Sequence, residues 1–255
     1  MGTSDPKTVS LASAIRGRVR RMVASSEQLS LAYLRLARSM STRGFNPPLS
    51  GSWEDQEQRW RNQGKPGSSD SPSTYIDFGV EDSNLFSEVL SFLPSDARIL
   101  EIGCNAGRNL DYLFRAGYTN LWGIEIGSAA VEMFEATFPE TRGSTQLICG
   151  DALEEITNLP SSHFDLVFTR GVLVNIHPKD NTFFSEICRV TRAFVLTDES
   201  DGSWTAWPRD FSQLFGQQGL EEISCRYEST VQPGQNAVLR VPVVRIFEKI
   251  DATPE

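Results

Sequence analysis

Short apolar runs alternate with amphipathic segments along the chain from about residue 81 onward. The runs are five to seven residues long, as buried strands are, and the segments between them have helical spacing. Strands joined by helices form a parallel sheet covered on both faces. The predicted strands are RILEI (98–102), LWGIE (121–125), TQLIC (145–149), FDLVFT (164–169) and AFVLTDE (193–199). The predicted helices cover residues 107–116, 128–138, 179–190 and about 208–217.

The C-terminal part of the pattern differs, because two strand-like segments follow each other with no helix between them. These are EEISCRYE (221–228) and NAVLRVPVVRIFEKI (236–250), and Pro242 in the second is typical of an edge or bulge position. Such a pair indicates an antiparallel edge. The sequence therefore predicts an α/β fold with a Rossmann-like, doubly wound sheet of seven strands, mostly parallel with an antiparallel C-terminal pair.

The N-terminal third predicts a helical extension rather than more of this sheet. Residues 8–23 have a helical apolar stripe, and Ser25 with Gln28 forms a capping box that predicts a second helix. Gly, Pro and Ser then interrupt the pattern, except for the short predicted helix WEDQEQRW (53–60). We expect an extension at 1–43, a linker or lid at 44–80, the main domain at 81–250 and a tail at 251–255.

Charge and cysteine spacing indicate which partners and which cellular compartment to expect for the protein. The chain has 24 basic and 33 acidic side chains, a net charge of −9, and this acidity disfavours nucleic acid as a partner. Cys104, Cys149, Cys188 and Cys225 stand far apart, which predicts no metal site and a reducing, cytoplasmic setting. No apolar stretch is long enough to predict a membrane span, and an oligomer is possible.

Residues 1–40 do not share this acidity. They hold seven basic and two acidic side chains. Two short helices packed beside the main domain are the simpler interpretation. An organellar transit segment or a membrane-surface segment is the alternative.

The segment ILEIGCNAGRNL (99–110) carries the strongest chemical signal. A buried strand must turn sharply into a helix there, and Gly103 and Gly107 permit a positive φ and close approach of a ligand. Asn105 is the non-glycine residue that best tolerates this conformation. The N–H groups at the start of a helix attract an anion such as a carboxylate.

Polar residues also end the next predicted strands. Glu125 lies 22 residues after Gly103, a spacing at which an acid can accept from both ribose hydroxyls. Asp151 follows the third strand, and the segment FTRGVLVNIHP, 168–178, includes the end of the fourth. Parallel strands bring their carboxyl ends to one edge, so these residues suit one adenosine-like ligand.

Together these motifs resemble those of class I S-adenosylmethionine-dependent methyltransferases over about residues 81–250. The subgroup most similar in motif is the small methylases associated with pseudaminic-acid and other sugar biosynthesis. The similar segments are GCNAGRNL (103–110) and TRGVLVNIHP (169–178). Asn105 departs from the common G-x-G-x-G pattern, and the N/D-P-P-Y motif of methyltransferases acting on adenine or glutamine is absent.

The resemblance implies S-adenosylmethionine as the cofactor and a role for each matching residue. The methionine end would be held at the glycine turn, the ribose by Glu125, the adenine by Ile126, Asp151 and Ala152, and the sulfonium side closed by Thr169 and Arg170. The complete implied cofactor set is Glu101, Gly103, Cys104, Asn105, Gly107, Asn109, Glu125, Ile126, Asp151, Ala152, Thr169 and Arg170.

The acceptor side is less well defined by sequence. His177 is the candidate catalytic base, although a surface or hydrogen-bonding role is the alternative. Asp198 and Glu199 would bind a cationic or hydroxyl substrate or cap their loop. Candidate lid and substrate residues are Trp60, Tyr75 and Trp204, with ordinary packing as the alternative.

The sequence is therefore compatible with three functions. The first is methyl transfer by in-line displacement to an oxygen or nitrogen of a small molecule, such as a sugar or another secondary metabolite. The second is a catalytically silent partner subunit with the same fold. The third, a nicotinamide dinucleotide oxidoreductase, requires G-x-G-x-x-G, but Asn105 and Arg108 stand where two of its glycines belong.

Overall fold

The computed structural model describes residues 11–50, 52–62, 71–76, 83–200, 207–227 and 242–250. Trp204 lies outside these ranges. Seven strands form one sheet in the order β3-β2-β1-β4-β5-β7-β6. Their bounds are Arg98–Ile102 (β1), Asn120–Glu125 (β2), Thr145–Cys149 (β3), Phe164–Arg170 (β4), Thr191–Ser200 (β5), Leu220–Tyr227 (β6) and Pro242–Lys249 (β7).

The predicted doubly wound fold is confirmed, with one correction at its C-terminal side. Strands β1 to β5 pair in parallel, and β7 pairs antiparallel with both β5 and β6. The last strand in the chain is therefore an interior strand, and β6 forms the edge. Pro242 is accommodated because it is the first residue of β7, opposite Ser200, rather than because that strand is an edge.

Helices cover both faces of the sheet and precede it in the chain. They are Leu11–Ala24 (α1), Glu27–Thr42 (α2), Trp53–Arg61 (α3), Pro72–Ile76 (α4), Ser83–Phe86 (α5), Arg108–Arg115 (α6), Ser128–Thr137 (α7), Pro139–Ser144 (α8), Ala152–Glu155 (α9), Thr182–Val190 (α10) and Phe211–Gly216 (α11). Helix α2 begins one residue later than the capping box predicts. Ser26 is its N-cap and accepts from the amide of Leu29, whereas the hydroxyl of Ser25 donates back to Met22.

Two hydrophobic clusters fill the two sides of the sheet because alternate strand residues point to opposite faces. Leu100 and Val167 belong to one cluster, with α10 and α11. Ile99 and Leu166 belong to the other, with α5 and α6. Close packing on both faces of the sheet thus holds the strands in place, and with them the side chains at its ligand edge.

Helix α2 is fastened to the main domain at its C-terminal end. The side-chain amide of Asn181 donates to the carbonyls of Ser41 and Thr42, and the Thr42 hydroxyl accepts from the amide of Asp210. Leu34 of α2 is buried. Over the described ranges, no helix is both long and apolar enough to cross a membrane.

Candidate functional site

One cavity of about 490 Å³ lies at the carboxyl edge of the parallel strands. The strand order places it where β1 and β4 lie side by side and their connections diverge, which is the ligand-binding position of doubly wound sheets. The turn after β1, the ends of β2, β4 and β5, the segment after β3, and parts of α3 and α4 form its walls.

The turn between β1 and α6 has the backbone conformation that its sequence predicts. Gly103, Asn105 and Gly107 all have positive φ, at 73°, 47° and 78°. A Cβ at Gly103 would stand 2.4 Å from Val172, and one at Gly107 would stand 2.3 Å from the ring of Phe134. Both positions therefore require glycine for space as well as for conformation.

Glu125 lies next to this turn and holds it in place. Its Oε2 accepts from the amide of Asn105 at 2.9 Å, and its Oε1 accepts from the amide of Gly127 at 2.7 Å. Burial raises the pKa of Glu125, and backbone hydrogen bonds from Gly127, Asn105 and Ile126 partly offset that effect. A carboxylate has about four lone-pair positions, so one remains that can accept from a ligand hydroxyl.

The other residues predicted at the adenosine end also line the cavity. Ile126, Asp151 and Ala152 form this wall. Asp151 is the N-cap of α9, and its second oxygen lies 3.4 Å from Arg61 of α3. Cys104 is buried in the turn, and burial raises the pKa of its thiol well above the usual range, so the sulfur stays protonated.

A chain of polar side chains crosses the cavity floor from β1 to β5. Oε1 of Glu101 accepts from Nδ2 of Asn109 at 2.6 Å, and the Asn109 oxygen accepts from Arg170 at 3.3 Å. Nε of Arg170 lies 2.9 Å from Oδ2 of Asp198. All four side chains line the cavity, so this network joins the predicted cofactor half to the acceptor half.

Thr169 and Glu199 do not line this cavity, which disagrees with a ligand contact by Thr169 and favours the alternative that Glu199 caps its loop. Both are fully buried, and the Thr169 hydroxyl donates to Oε1 of Glu199 at 2.9 Å. The Glu199 carboxylate also accepts from the amides of Val172, Leu173 and Val174. These hydrogen bonds fix the loop after β4, and several such donors stabilise a buried carboxylate.

His177 does not line the cavity either, and its contacts favour the hydrogen-bonding role over that of a catalytic base. Its Nδ1 accepts from the amide of Lys179, and its ring packs edge-on against Trp207 with centroids 5.1 Å apart. Burial lowers its pKa, so the ring is largely neutral. Trp207 is itself fully buried and donates to Asn46.

The N-terminal helices α3 and α4 contribute residues to the cavity. Trp60 and Tyr75 both line the cavity. Gln56 donates to Asn175 at 3.2 Å on the acceptor side, whereas Arg61 contacts Asp151 on the cofactor side. Helix α3 therefore contacts both halves of the site.

Sequence reasoning missed several residues of the site. Arg108 lines the cavity and donates to the carbonyl of Tyr75 at 3.0 Å. Its position directly after Gly107, at the first residue of α6, could have identified Arg108 as a site residue from the sequence. Gln56 and Arg61, which connect α3 to cavity residues, had no such signal, because polar residues at helical spacing usually belong to a solvated face. Within the described ranges, no three His, Cys, Asp or Glu side chains could hold a metal ion together.

Comparisons with known proteins agree with this geometry. Residues 100–193 match a family described as methyltransferase domain. No curated protein matches the chain in sequence. Among solved structures, an S-adenosylmethionine-dependent methyltransferase from Leishmania major has a TM-score of 0.60 at 15% identity, over 79% of this chain and 87% of that one.

Two further similar structures show how widely this fold is used. Magnesium protoporphyrin IX methyltransferase from Synechocystis, with bound S-adenosylmethionine, has a TM-score of 0.55 at 14% identity, over 86% of this chain and 97% of that one. The [4+2]-cyclase SpnF has a TM-score of 0.54 at 15% identity, over 66% of this chain and 80% of that one. At these identities the likeness shows the fold alone, and the family match adds the type of domain. Residues 100–193 thus carry a methyltransferase domain, and S-adenosylmethionine is its cofactor.

Proposed function

We propose that this protein transfers a methyl group from S-adenosylmethionine to an oxygen or nitrogen of a small molecule. One observation carries the proposal. A single cavity brings the glycine turn, Glu125 and Asp151 together with the Arg170–Asp198 ion pair. The first group suits the cofactor, and the second supplies charged and hydrogen-bonding groups for an acceptor.

The cofactor half has groups suited to each part of S-adenosylmethionine. Glu101 and the turn at 103–107 would hold the amino-carboxylate end, where a free α-amino group can pair with a carboxylate. Glu125 would bind the ribose, and Ile126, Asp151 and Ala152 the adenine. The buried indole N–H of Trp60 has no acceptor among the described residues, so it is a further donor for a ligand in this cavity.

When bound, S-adenosylmethionine supplies an electrophilic methyl on a positively charged sulfur. The methyl passes in line to the acceptor, the carbon–sulfur bond breaks, and the acceptor's proton leaves to a base or to water. Alignment carries much of the rate enhancement because the leaving group is already good. The task of the protein is therefore to orient the acceptor.

Polar groups at the end of β5 and in the loop after β4 would perform that task. Asp198, Ser200 and Asn175 line the cavity beside Arg170. Their mixture of carboxylate, hydroxyl and amide suits a polyhydroxylated or amine-bearing acceptor. A sugar or another secondary metabolite fits this chemistry, in keeping with the motif resemblance to sugar-biosynthesis methylases. Acidity of the whole chain makes a nucleic-acid acceptor unfavourable.

Calorimetry with S-adenosylhomocysteine and with NAD tests the cofactor half. We expect binding of the first and none of the second, and the reverse result would favour an oxidoreductase. Incubation with methyl-labelled S-adenosylmethionine and a panel of sugars, amines and hydroxy compounds then tests transfer. Cofactor binding with no transfer to any acceptor of the panel would favour the silent partner subunit.

A Trp60→Phe variant tests the cavity itself, because it removes only the indole N–H and part of the ring. We expect weaker binding of S-adenosylhomocysteine by about 0.5–1.5 kcal/mol with unchanged thermal stability, since one hydrogen bond to the ligand is lost. The exposed Phe45, mutated to Leu, is the control. Equal affinity in both variants and wild type would remove Trp60 from the ligand site.

A further inference from the structure

The outer face of α1 and α2 exposes an unusual row of large apolar side chains. Ile15 and Met22 of α1 are 52% and 59% exposed, and Leu29 and Leu36 of α2 are 47% and 52% exposed. Within each helix the two residues are seven positions apart and so share a face. Half of the eight large hydrophobic side chains that are exposed among the described residues therefore lie on these two helices.

The opposite sides of the two helices make contacts within the protein. Nε of Arg20 in α1 donates to the carbonyl of Leu49 at 2.7 Å. In α2, Leu34 and Ala37 are buried. Ile15, Met22, Leu29 and Leu36 thus lie on the exposed sides of their helices, and the four together are called here the apolar face.

Basic side chains accompany the apolar face. Arg16, Arg18, Arg21 and Arg35 are exposed on the same two helices. Glu27 is the only acidic residue in the sequence of either helix. The contrast with a chain whose overall charge is −9 shows that the positive charge is concentrated locally.

We propose that the apolar face docks on an anionic membrane surface. Helices that combine Leu, Ile or Met with Arg on a neighbouring face lie in the interface of a bilayer, with apolar side chains among the lipid chains and cations near the headgroups. Helices of 14 and 16 residues suit this peripheral position, and neither can cross a bilayer.

Charge also disfavours the main alternative, a symmetric dimer through the same face. Two-fold symmetry places the same patch of each copy against the other, so the basic side chains that accompany the face would bring like charges together. An anionic bilayer instead neutralises these charges. The membrane surface is therefore the partner that matches both the apolar and the charged part of the face.

The test is flotation of the full-length protein with vesicles of phosphatidylcholine alone or with added phosphatidylserine. We expect binding to the anionic vesicles only, weakened by high salt. Replacing Arg16, Arg18 and Arg21 by Glu is expected to weaken binding about a hundredfold or more. Each basic side chain near such a surface raises the affinity for the membrane roughly fivefold. A Met22→Glu/Leu29→Glu variant is expected to weaken it at least about tenfold.

Ile250→Glu is the matched control, since Ile250 is 58% exposed but lies far along the chain from both helices. All variants should bind S-adenosylhomocysteine like the wild type, which shows that they are folded. Absence of binding to anionic vesicles, or equal binding by the control and the Met22→Glu/Leu29→Glu variant, would overturn the proposal. So would light scattering that shows a dimer which these substitutions dissociate.

Discussion

The backbone amide of Asn105 donates to Oε2 of Glu125 across 2.9 Å, so the turn after β1 is bonded to the end of β2. The two residues belong to separate motifs that are 20 positions apart. Their hydrogen bond means that the acid proposed to bind the ribose also fixes the backbone proposed to hold the methionine end. Changes at Glu125 should therefore affect both ends of the cofactor.

We expect Glu125→Ala to weaken binding of S-adenosylhomocysteine by about 1–3 kcal/mol, because charge-assisted hydrogen bonds to the ligand and the support of Asn105 are lost together. Calorimetry measures the change. Glu132→Ala is the control, since Glu132 is an exposed acid on the neighbouring α7. Unchanged affinity of Glu125→Ala would refute the assigned role of this carboxylate.

Gly107→Ala should destabilise the fold as well as the site. Its φ of 78° disfavours any side chain, and the added Cβ would meet the ring of Phe134 at 2.3 Å. We expect a loss of about 2–4 kcal/mol in the free energy of unfolding, from backbone strain and overpacking together. Urea unfolding gives the value.

Gly143→Ala provides the comparison for that variant, because Gly143 lies in α8 with nothing within 4 Å of an added Cβ. There alanine should be neutral or stabilising by up to about 1 kcal/mol, owing to its higher helix propensity. Similar effects at both positions would mean that the turn tolerates a side chain.

The Arg170–Asp198 ion pair should be energetically coupled, because it lies on the cavity wall with little exposure. A double-mutant cycle with Arg170→Ala and Asp198→Ala is expected to give a coupling energy of about 0.5–3 kcal/mol in unfolding. The pair of Arg142 and Glu135, 3.2 Å apart and more exposed than the first pair, should give about 0–1 kcal/mol. A coupling energy for the first pair no larger than for the second would show that its members act independently.

Glu199 should give stability a specific pH dependence. Burial raises its pKa from an ordinary 4.5 to about 7, so the folded protein binds this proton more tightly than the unfolded chain does. The resulting stabilisation is complete at pH values below the pKa of Glu199 in the unfolded chain. It is lost as the pH rises through the pKa of Glu199 in the folded protein. Relative to Glu199→Gln, which cannot ionise, the wild type should lose about 1–3 kcal/mol over this window.

Urea unfolding of both proteins at a series of pH values checks this expectation. Glu132→Gln serves as the control, because it makes the same substitution at an exposed position. If the stability difference between wild type and Glu199→Gln stays constant across the window, Glu199 does not titrate there.

Local sequence patterns determined most of the sheet and the conformation of the turn. Strands β1 and β3 begin and end at the predicted residues, because short apolar runs between polar residues leave little choice of structure. The positive φ values of Gly103 and Gly107 also follow from sequence, since a strand that ends directly before a helix forces a tight turn. The carboxyl edge of parallel strands then gathers the motif residues in one cavity.

Tertiary structure alone decided where β7 lies and which polar residues face the cavity. Asp198 and Glu199 are neighbours in the chain, but alternate strand residues point to opposite faces, so only Asp198 reaches the cavity. The position of His177 depends on packing against Trp207, and that of Arg61 on its contact with Asp151. Such contacts join residues far apart in the chain, and no periodicity in the sequence encodes them.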